Sequence, residues 1–375
     1  MVKNSTAFVG IDLGDKRSNL YVLDPEGELI EETRIPTTES AFRRKFASLP
    51  PCRVAMEAGT HSRWASRLLE QLGHEVLVAN PRKLRLIYGD PRKADEADAE
   101  HLARLARLDP QLLSPIRHRG PEAQAHLTVI RSRDSLVRAR TLLINHVRGS
   151  VKSSGARLLA CSADSFHHRV EPSIPAELQP ALLPIIETIA SLTAQIHAYN
   201  RQIEQLCQKQ YPETQGLRAV GGVGPITSLA YVLTLDDPDR FRKSREVAPA
   251  LGLVPKRDQS GDRDPQLRIT TPSRCPCGKT GDSYLRRLLV GSAQYILGPF
   301  GPDCDLRRWG LKLAQRGGKN ANKRAVVAVA RKLAVLLHHL WVTGEVYDPF
   351  YHSHPDQTSV TQTNLLVPQP EAVCT

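Results

Sequence analysis

Several things are missing from this chain, and each absence narrows what it can be. No apolar run approaches the ~20 residues that a bilayer-spanning helix needs, so no membrane partner is expected. The opening stretch, MVKNSTAFVGIDLG, lacks the basic-then-apolar order of a secretory leader, and a cytoplasmic location is expected. The seven cysteines are odd in number and scattered, which argues against a disulfide framework. Cys275-Pro276-Cys277 is the one close pair, and a C-x-C with no second pair or nearby histidine makes a poor zinc site, so free thiols are expected. A phosphate loop is also missing. GKTG at Gly278–Gly281 would need its first glycine at position 273, which is serine.

Acids are scarce in two places. Asp305 to Lys332 holds nine Lys/Arg against one acid, and Arg117 to Arg157 holds nine against two, whereas the first ~110 residues are nearly balanced. The net charge of +12 over 375 residues points to a polyanionic partner. An acidic site beside separate basic surfaces fits that distribution. The length has room for two or three domains.

The pattern of the first ~110 residues alternates. AFVGIDLG, SNLYVLD and ELIEETRIP read as three successive strands, with turn signals at Gly14-Asp15 and Pro25-Glu26-Gly27. A helix near 40–48, the strand RVAMEAG, a helix over 61–72, the strand EVLVANP and a helical stretch to about Leu108 follow. That order is the one found in ribonuclease-H-like α/β domains. After it the chain reads as helical. A long basic helix is expected from Pro121 to Val151. Leu182, Ile185, Ile189, Leu192, Ile196, Tyr199, Ile203 and Leu206 then alternate steps of three and four. This is either a self-associating coiled coil or a long helix packed on its own chain. Residues from about Ser353 onward are rich in Gln, Thr, Pro and Val and read as a disordered tail. The divisions expected are 1–115, 116–212, 213–350 and 351–375.

Four carboxylates stand out within these elements. Asp12 ends the first strand, in GIDLG, and Glu57 ends the fourth, in AMEAG; strand ends of an α/β sheet line clefts. KADEADAEHLARL supplies two more. Asp95, Asp98, Leu102 and Leu105 fall on one helical stripe, while Glu96 and Glu100 point elsewhere. An acid sharing a buried face needs a partner, and a metal ion is one candidate. Asp12, Glu57, Asp95 and Asp98 form an all-oxygen set suited to Mg²⁺, with Mn²⁺ able to substitute. Each alone also fits a turn residue or a helix-dipole partner.

Two further features belong to the second half. LRAVGGVGPITSLAYVLTL resembles a helix-hairpin-helix, in which Gly222 and Gly224 let backbone N–H groups approach a phosphate; an ordinary tight corner is the plainer reading. KRDQSGDRD presents Ser260 before Gly261, among Lys256, Arg257 and Arg263. A serine in cationic surroundings can attack a neutralised phosphate, although alone it reads as a turn serine.

GIDLG, MEAG, KADEADA, the heptads, GGVGPITS, GLVP, QSG and GDSYLRRLLV occur in an order that resembles the DEDD-type insertion-sequence transposases of the bridge-RNA-guided recombinase family, over roughly residues 7–345. The resemblance departs at Ala94, where the family's acidic helix carries Thr or Asn. It implies a ribonuclease-H-like N-terminal domain binding Mg²⁺ through Asp12, Glu57, Asp95 and Asp98. It further implies a coiled-coil middle and a mainly α-helical C-terminal transposase domain with Ser260 as nucleophile. Cutting and rejoining would pass through a covalent phosphoserine. The implied partners are donor and target DNA, a structured guide RNA and further copies of the chain as a dimer or tetramer. Backbone contacts would come from Arg307, Arg308, Lys319, Lys323 and Arg324 besides the loop cations. Two other readings stay open: a metal-only, junction-resolvase-like nuclease, and a non-enzymatic coiled-coil nucleic-acid-binding factor.

Overall fold

The computed structural model describes residues 7–81, 95–255, 281–318 and 320–353; within them the side chains of Asp95, Glu96 and Ala97 are not described. Contacts divide the chain into two compact units that meet in sequence between Arg119 and Gly120.

The first unit is built on a mixed five-stranded sheet. β1 (Phe8–Asp12), β2 (Arg17–Leu23) and β3 (Leu29–Pro36) form an antiparallel meander, and β4 (Arg53–Glu57) and β5 (Glu75–Ala79) add in parallel beside β1. The spatial order is β3-β2-β1-β4-β5. β1 and β4 are central and apolar, with every interior residue buried. β3 sits at the edge, and its alternating polar residues keep that edge wet.

The two faces of the sheet have separate cores. Val9, Ile11, Val54 and Met56 pack with Phe42 and Phe46 of α1 (Glu39–Ala47) and Leu68 and Leu69 of α2 (Ser62–Gln71). Ala55 and Ala79 on the opposite face pack with Leu102, Leu105 and Ala106 of α3 (Asp95–Leu108). The period-two alternation of a strand therefore sends Gly10, Asp12, Ala55 and Glu57 toward α3.

The second unit is helical. α4 (Pro121–Ser153) and α6 (Gln179–Lys209) pack along each other, with the short α5 (Phe166–Arg169) between them in sequence. α7 (Thr214–Arg218), α8 (Pro225–Leu235), α9 (Val247–Ala250), α10 (Ser283–Leu297), α11 (Asp305–Gln315) and α12 (Ala321–Thr343) complete it. α8 is buried from Thr227 to Leu235, and the Tyr231 hydroxyl donates to the Ala334 carbonyl of α12 at 2.6 Å. α6 and α12 are, by length and composition, apolar enough to cross a bilayer, which corrects the expectation of no such run. Each instead packs against other helices of its unit, α6 on α4 and α12 on α10 and α11.

The heptad seam finds its partner within the chain. The buried stripe of α6 is Leu182, Ile186, Ile189, Thr193, Ile196, Ile203 and Cys207, with Leu206 beside it, whereas Ile185, Leu192 and Tyr199 are only half-buried. Across the pair, Arg133 Nε of α4 donates to Asn200 at 2.7 Å. The buried Arg140 donates to Thr193 at 3.2 Å and to Asp164 at 2.6 Å. That Arg140 hydrogen bond is the main cause holding the Asp164 carboxyl below its usual range. Cys52, Cys161, Cys207 and Cys304 are free thiols, and burial pushes Cys52 up to about 12. Cys275 and Cys277 lie outside the described residues.

Candidate active site

The position of α3 sets the site. A side chain at Gly10 would place its Cβ 1.9 Å from the Ala99 carbonyl oxygen and 2.5 Å from the Ala103 nitrogen. Glycine lets the helix backbone lie directly on β1. At the other end of the contact, Arg53 at the start of β4 donates to the Ala106 carbonyl at 3.1 Å. The end of α3 therefore lies over the strand starts, and its first turn lies toward the strand ends.

Those strand ends carry the acids. Phe8 through Ile11 pair with Arg53 through Met56, so the next register position brings Asp12 beside Glu57. Both face α3 and both are half-buried. In the other direction Asp12 pairs with Asn19, and Asn19 with Arg34. Arg34, Asn19, Asp12 and Glu57 thus form one transverse row across four strands, because directly opposed residues share a face. Asn19 and Arg34 are absent from the motif reading; the only sequence signal for them is their pairing with Asp12.

α3 supplies the rest. Asp98 is half-buried, next to the buried Ala99 and one turn before the buried Leu102. Asp95 begins the helix, but its side chain falls outside the description. Glu100 is held by Arg104 in an i,i+4 ion pair at 2.7 Å, as suits a solvated face. Among the described residues, no three His, Cys, Asp or Glu side chains converge into a metal cage. The donor chemistry still suits a hard divalent cation: all-carboxylate oxygen, from two adjacent strand ends and one helix turn.

The loops at this edge are braced. Ser62 Oγ donates to the Gly59 carbonyl at 2.9 Å and accepts from the Gly59 N–H at 3.0 Å, closing the loop after Glu57. His118 Nε2 lies 2.9 Å from the same hydroxyl. Burial, reinforced by Arg63, Arg67 and Arg119, pushes His118 down to about 4.

In the helical unit, Gly222 has φ +84° and its absent Cβ would meet the Ser292 carbonyl oxygen and the Tyr295 ring at 3.0 Å. It is glycine for internal reasons. Gly224 differs: it is exposed at the N-terminus of α8, with nothing within 4 Å of a Cβ. Arg307, expected to contact a nucleic-acid backbone, is half-buried. Its guanidinium donates to the Gly298 carbonyl at 2.6 Å and to that of Ile296, tying off the end of α10. Arg308 is exposed yet paired with Asp303 at 2.6 Å and lies over the Phe350 ring. Arg324 donates to the Gly317 carbonyl at 3.1 Å, and Lys323 is exposed. Ser260, Lys256, Arg257, Arg263 and Lys319 lie outside the described residues. The described ends flanking Ser260 meet: a Cβ on Gly281 would fall 2.4–2.5 Å from the Ala250–Leu251 backbone. Asp282 caps α10 through the Tyr284 and Leu285 N–H groups and pairs with Arg131 at 2.8 Å.

A mixed α/β domain with acids at its strand ends, followed by a helical unit, is the arrangement of a DEDD-type DNA transposase. Residues 9–154 match the DEDD transposase model, and residues 214–302 match the transposase IS116/IS110/IS902 family. A probable family 20 transposase of Pseudomonas aeruginosa is 31% identical over 350 residues, covering 91% of this chain and 98% of its own. The transposase for insertion sequence element IS1111A of Coxiella burnetii is 27% identical over 91% of each chain. The transposase for insertion sequence element IS1328 of Yersinia enterocolitica is 26% identical over 78% of this chain and 84% of its own. The chain belongs to the IS110 family of transposases, enzymes that move DNA.

Proposed function

We propose that this transposase cuts and rejoins DNA by metal-assisted transesterification, with Asp12, Glu57, Asp95 and Asp98 as the metal-binding acids and Ser260 as the nucleophile. The observation that carries the first half is the adjacency of Asp12 and Glu57 on the face covered by α3, whose first turn lies toward them. Bound there, Mg²⁺ would neutralise charge on a phosphodiester oxygen. The second half rests on the family resemblance and on the cations around Ser260 in sequence.

In the reaction, Ser260 Oγ loses its proton and forms a bond to phosphorus. The phosphorus–oxygen bond to the departing strand breaks, and that strand's hydroxyl takes up a proton. A hydroxyl of the second DNA then attacks the phosphoserine, loses its proton and regenerates the serine. One phosphodiester is exchanged for another, so no ATP is consumed. The exposed Gly224 at the head of α8 suits a backbone phosphate, and Lys323 belongs to the same DNA-facing role. A structured guide RNA would supply sequence choice by base pairing, since backbone contacts carry little of it. Assembly as a dimer or tetramer, and action in the cytoplasm on chromosomal DNA, complete the reading.

The test is to trap the protein–DNA adduct on a denaturing gel and map it by mass spectrometry. The adduct should sit on Ser260 and vanish in Ser260→Ala and Asp98→Ala, with DNA affinity changed less than about threefold. Cleavage by Ser260→Ala at the wild-type rate would rule out the serine mechanism and favour a metal-only nuclease.

A further inference from the structure

Beside Asp12 the sheet edge opens into a cleft of about 410 Å³, lined by Asp12, Gly14, Asp15, Lys16, Arg17, Asn19 and Arg34. That volume is within the range (~300–1,000 Å³) of pockets that enclose a whole small ligand. Three cations face it. Arg34 and Asn19 belong to the transverse row that ends in Asp12 and Glu57, and Arg17 lies two residues from Asn19 on the same strand face. Among the described residues, none of Lys16, Arg17 and Arg34 has a carboxylate partner, whereas nearby Arg43, Lys45 and Arg53 each do. Asp15, the second acid of the cleft, lies 3.6 Å from His61 Nε2.

The turn that carries Lys16 is held from outside the cleft. The Thr37 hydroxyl donates to the Gly14 carbonyl at 2.9 Å, and the Thr37 N–H donates to the Lys16 carbonyl at 2.9 Å. Ser18 Oγ lies 2.8 Å from the same Thr37 hydroxyl. A Cβ on Gly14 would fall 2.2 Å from the Arg17 carbonyl oxygen, so the turn closes only around glycine. The main chain is thus fixed while the cationic side chains stay available to a ligand.

We propose that Lys16, Arg17 and Arg34 hold a backbone phosphate of the DNA strand being cut, next to the one attacked beside Asp12. The reading rests on the metal-carboxylate assignment for the location of the attacked phosphate. A carboxylate cluster alone repels a polyanion until cations are bound. A row that runs from cation to amide to acid gives the strand a foothold two strands from the acid, and orients it before chemistry. These are positioning residues, since they touch a phosphate other than the reacting one.

The experiment uses the full-length chain and two binding probes, a nonspecific DNA duplex and a single-stranded RNA, in EDTA over a range of salt. In the double variant Lys16→Gln/Arg34→Gln the slope of log affinity against log salt for DNA should fall by about 0.9, the value for one lost phosphate contact. Cleavage of element-end DNA should fall at least tenfold, and the charge-conserving Lys16→Arg/Arg34→Lys should restore the slope. An unchanged DNA slope with wild-type cleavage overturns the proposal, as does a change confined to the RNA probe. Asp12→Ala separates the two assignments. If it still cleaves while the cation variant loses slope, the carboxylate reading fails and the phosphate foothold stands. If it is dead while the cation variant keeps both slope and cleavage, only the foothold fails.

Discussion

Gly10 is the residue on which the N-terminal unit turns. It has no motif value of its own, yet its missing side chain admits the main chain of α3 at contact distance. Even alanine would have to displace backbone, which nothing flexible can absorb. Gly10→Ala should destabilise the protein by about 3 kcal/mol, the upper end of ordinary overpacking costs, and lower strand cleavage with it. Urea denaturation followed by circular dichroism checks the first effect. Gly59→Ala, where a Cβ meets nothing within 4 Å, is the control and should shift stability by less than about 0.5 kcal/mol. Legibility at this scale was uneven. Asp98 stood out because an acid on an apolar helix stripe violates a pattern, and Asp12 and Glu57 because both end strands of one sheet. Asn19 and Arg34 break no pattern, so only strand register brings them into the row. Arg140 and Arg307 read as surface charge because a side chain's direction on a basic helix is not visible until its neighbours are known.

At the scale of elements, the sheet was the most readable part. Three hydrophobic runs separated by glycine and proline turns leave little choice but a meander, and two later runs bracketed by helices must join in parallel. α6 was readable as a long amphipathic helix but not in its partner. Spacings of three and four are common to coiled coils and to helices packed on their own chain. The difference lies in whether the second flank is Ile185, Leu192 and Tyr199 or Ile186, Thr193 and Cys207, and the packed flank is the latter. It follows that the α4–α6 seam needs no second copy. Ile189→Ala should cost about 2–5 kcal/mol. Its melting temperature should be lowered by the same amount at every protein concentration, which differential scanning calorimetry at two concentrations a hundredfold apart would verify. A deficit that vanished at high concentration would instead mean that copies associate through this seam.

For the molecule as a whole, charge is the governing quantity. A net charge of +12 already opposes compaction, and acid adds to it as carboxylates are protonated. His118 sharpens that limit in the sheet unit. Its folded pKa of about 4 lies below the ordinary 6.5, so the fold prefers the neutral ring. Its contribution is complete above pH 6.5 and is lost as pH falls toward and through 4. Stability measured by denaturant titration should therefore decline over that window, and His118→Gln should flatten the decline. The basic runs foretold a polyanion from sequence alone. What they could not foretell was their division of labour, since Arg131, Arg133, Arg140 and Arg307 bind their own protein while Lys16, Arg17 and Arg34, in a stretch of balanced charge, are left without carboxylate partners among the described residues.

The seat of α3 on β1 also bears on how such an enzyme survives sequence drift. Where two elements meet through interlocking side chains, every substitution on either side nudges their spacing, and a fit must be continually repaired. At Gly10 the meeting is main chain on main chain, and the peptide backbone does not mutate. Relatives that share only 26–31% of their residues with this chain still match across most of its length. Around such a joint, neighbouring side chains can change while the backbone spacing of α3 and β1 is kept. Gly10 sets the closest approach in that spacing, and it is a position that carries no side chain to lose.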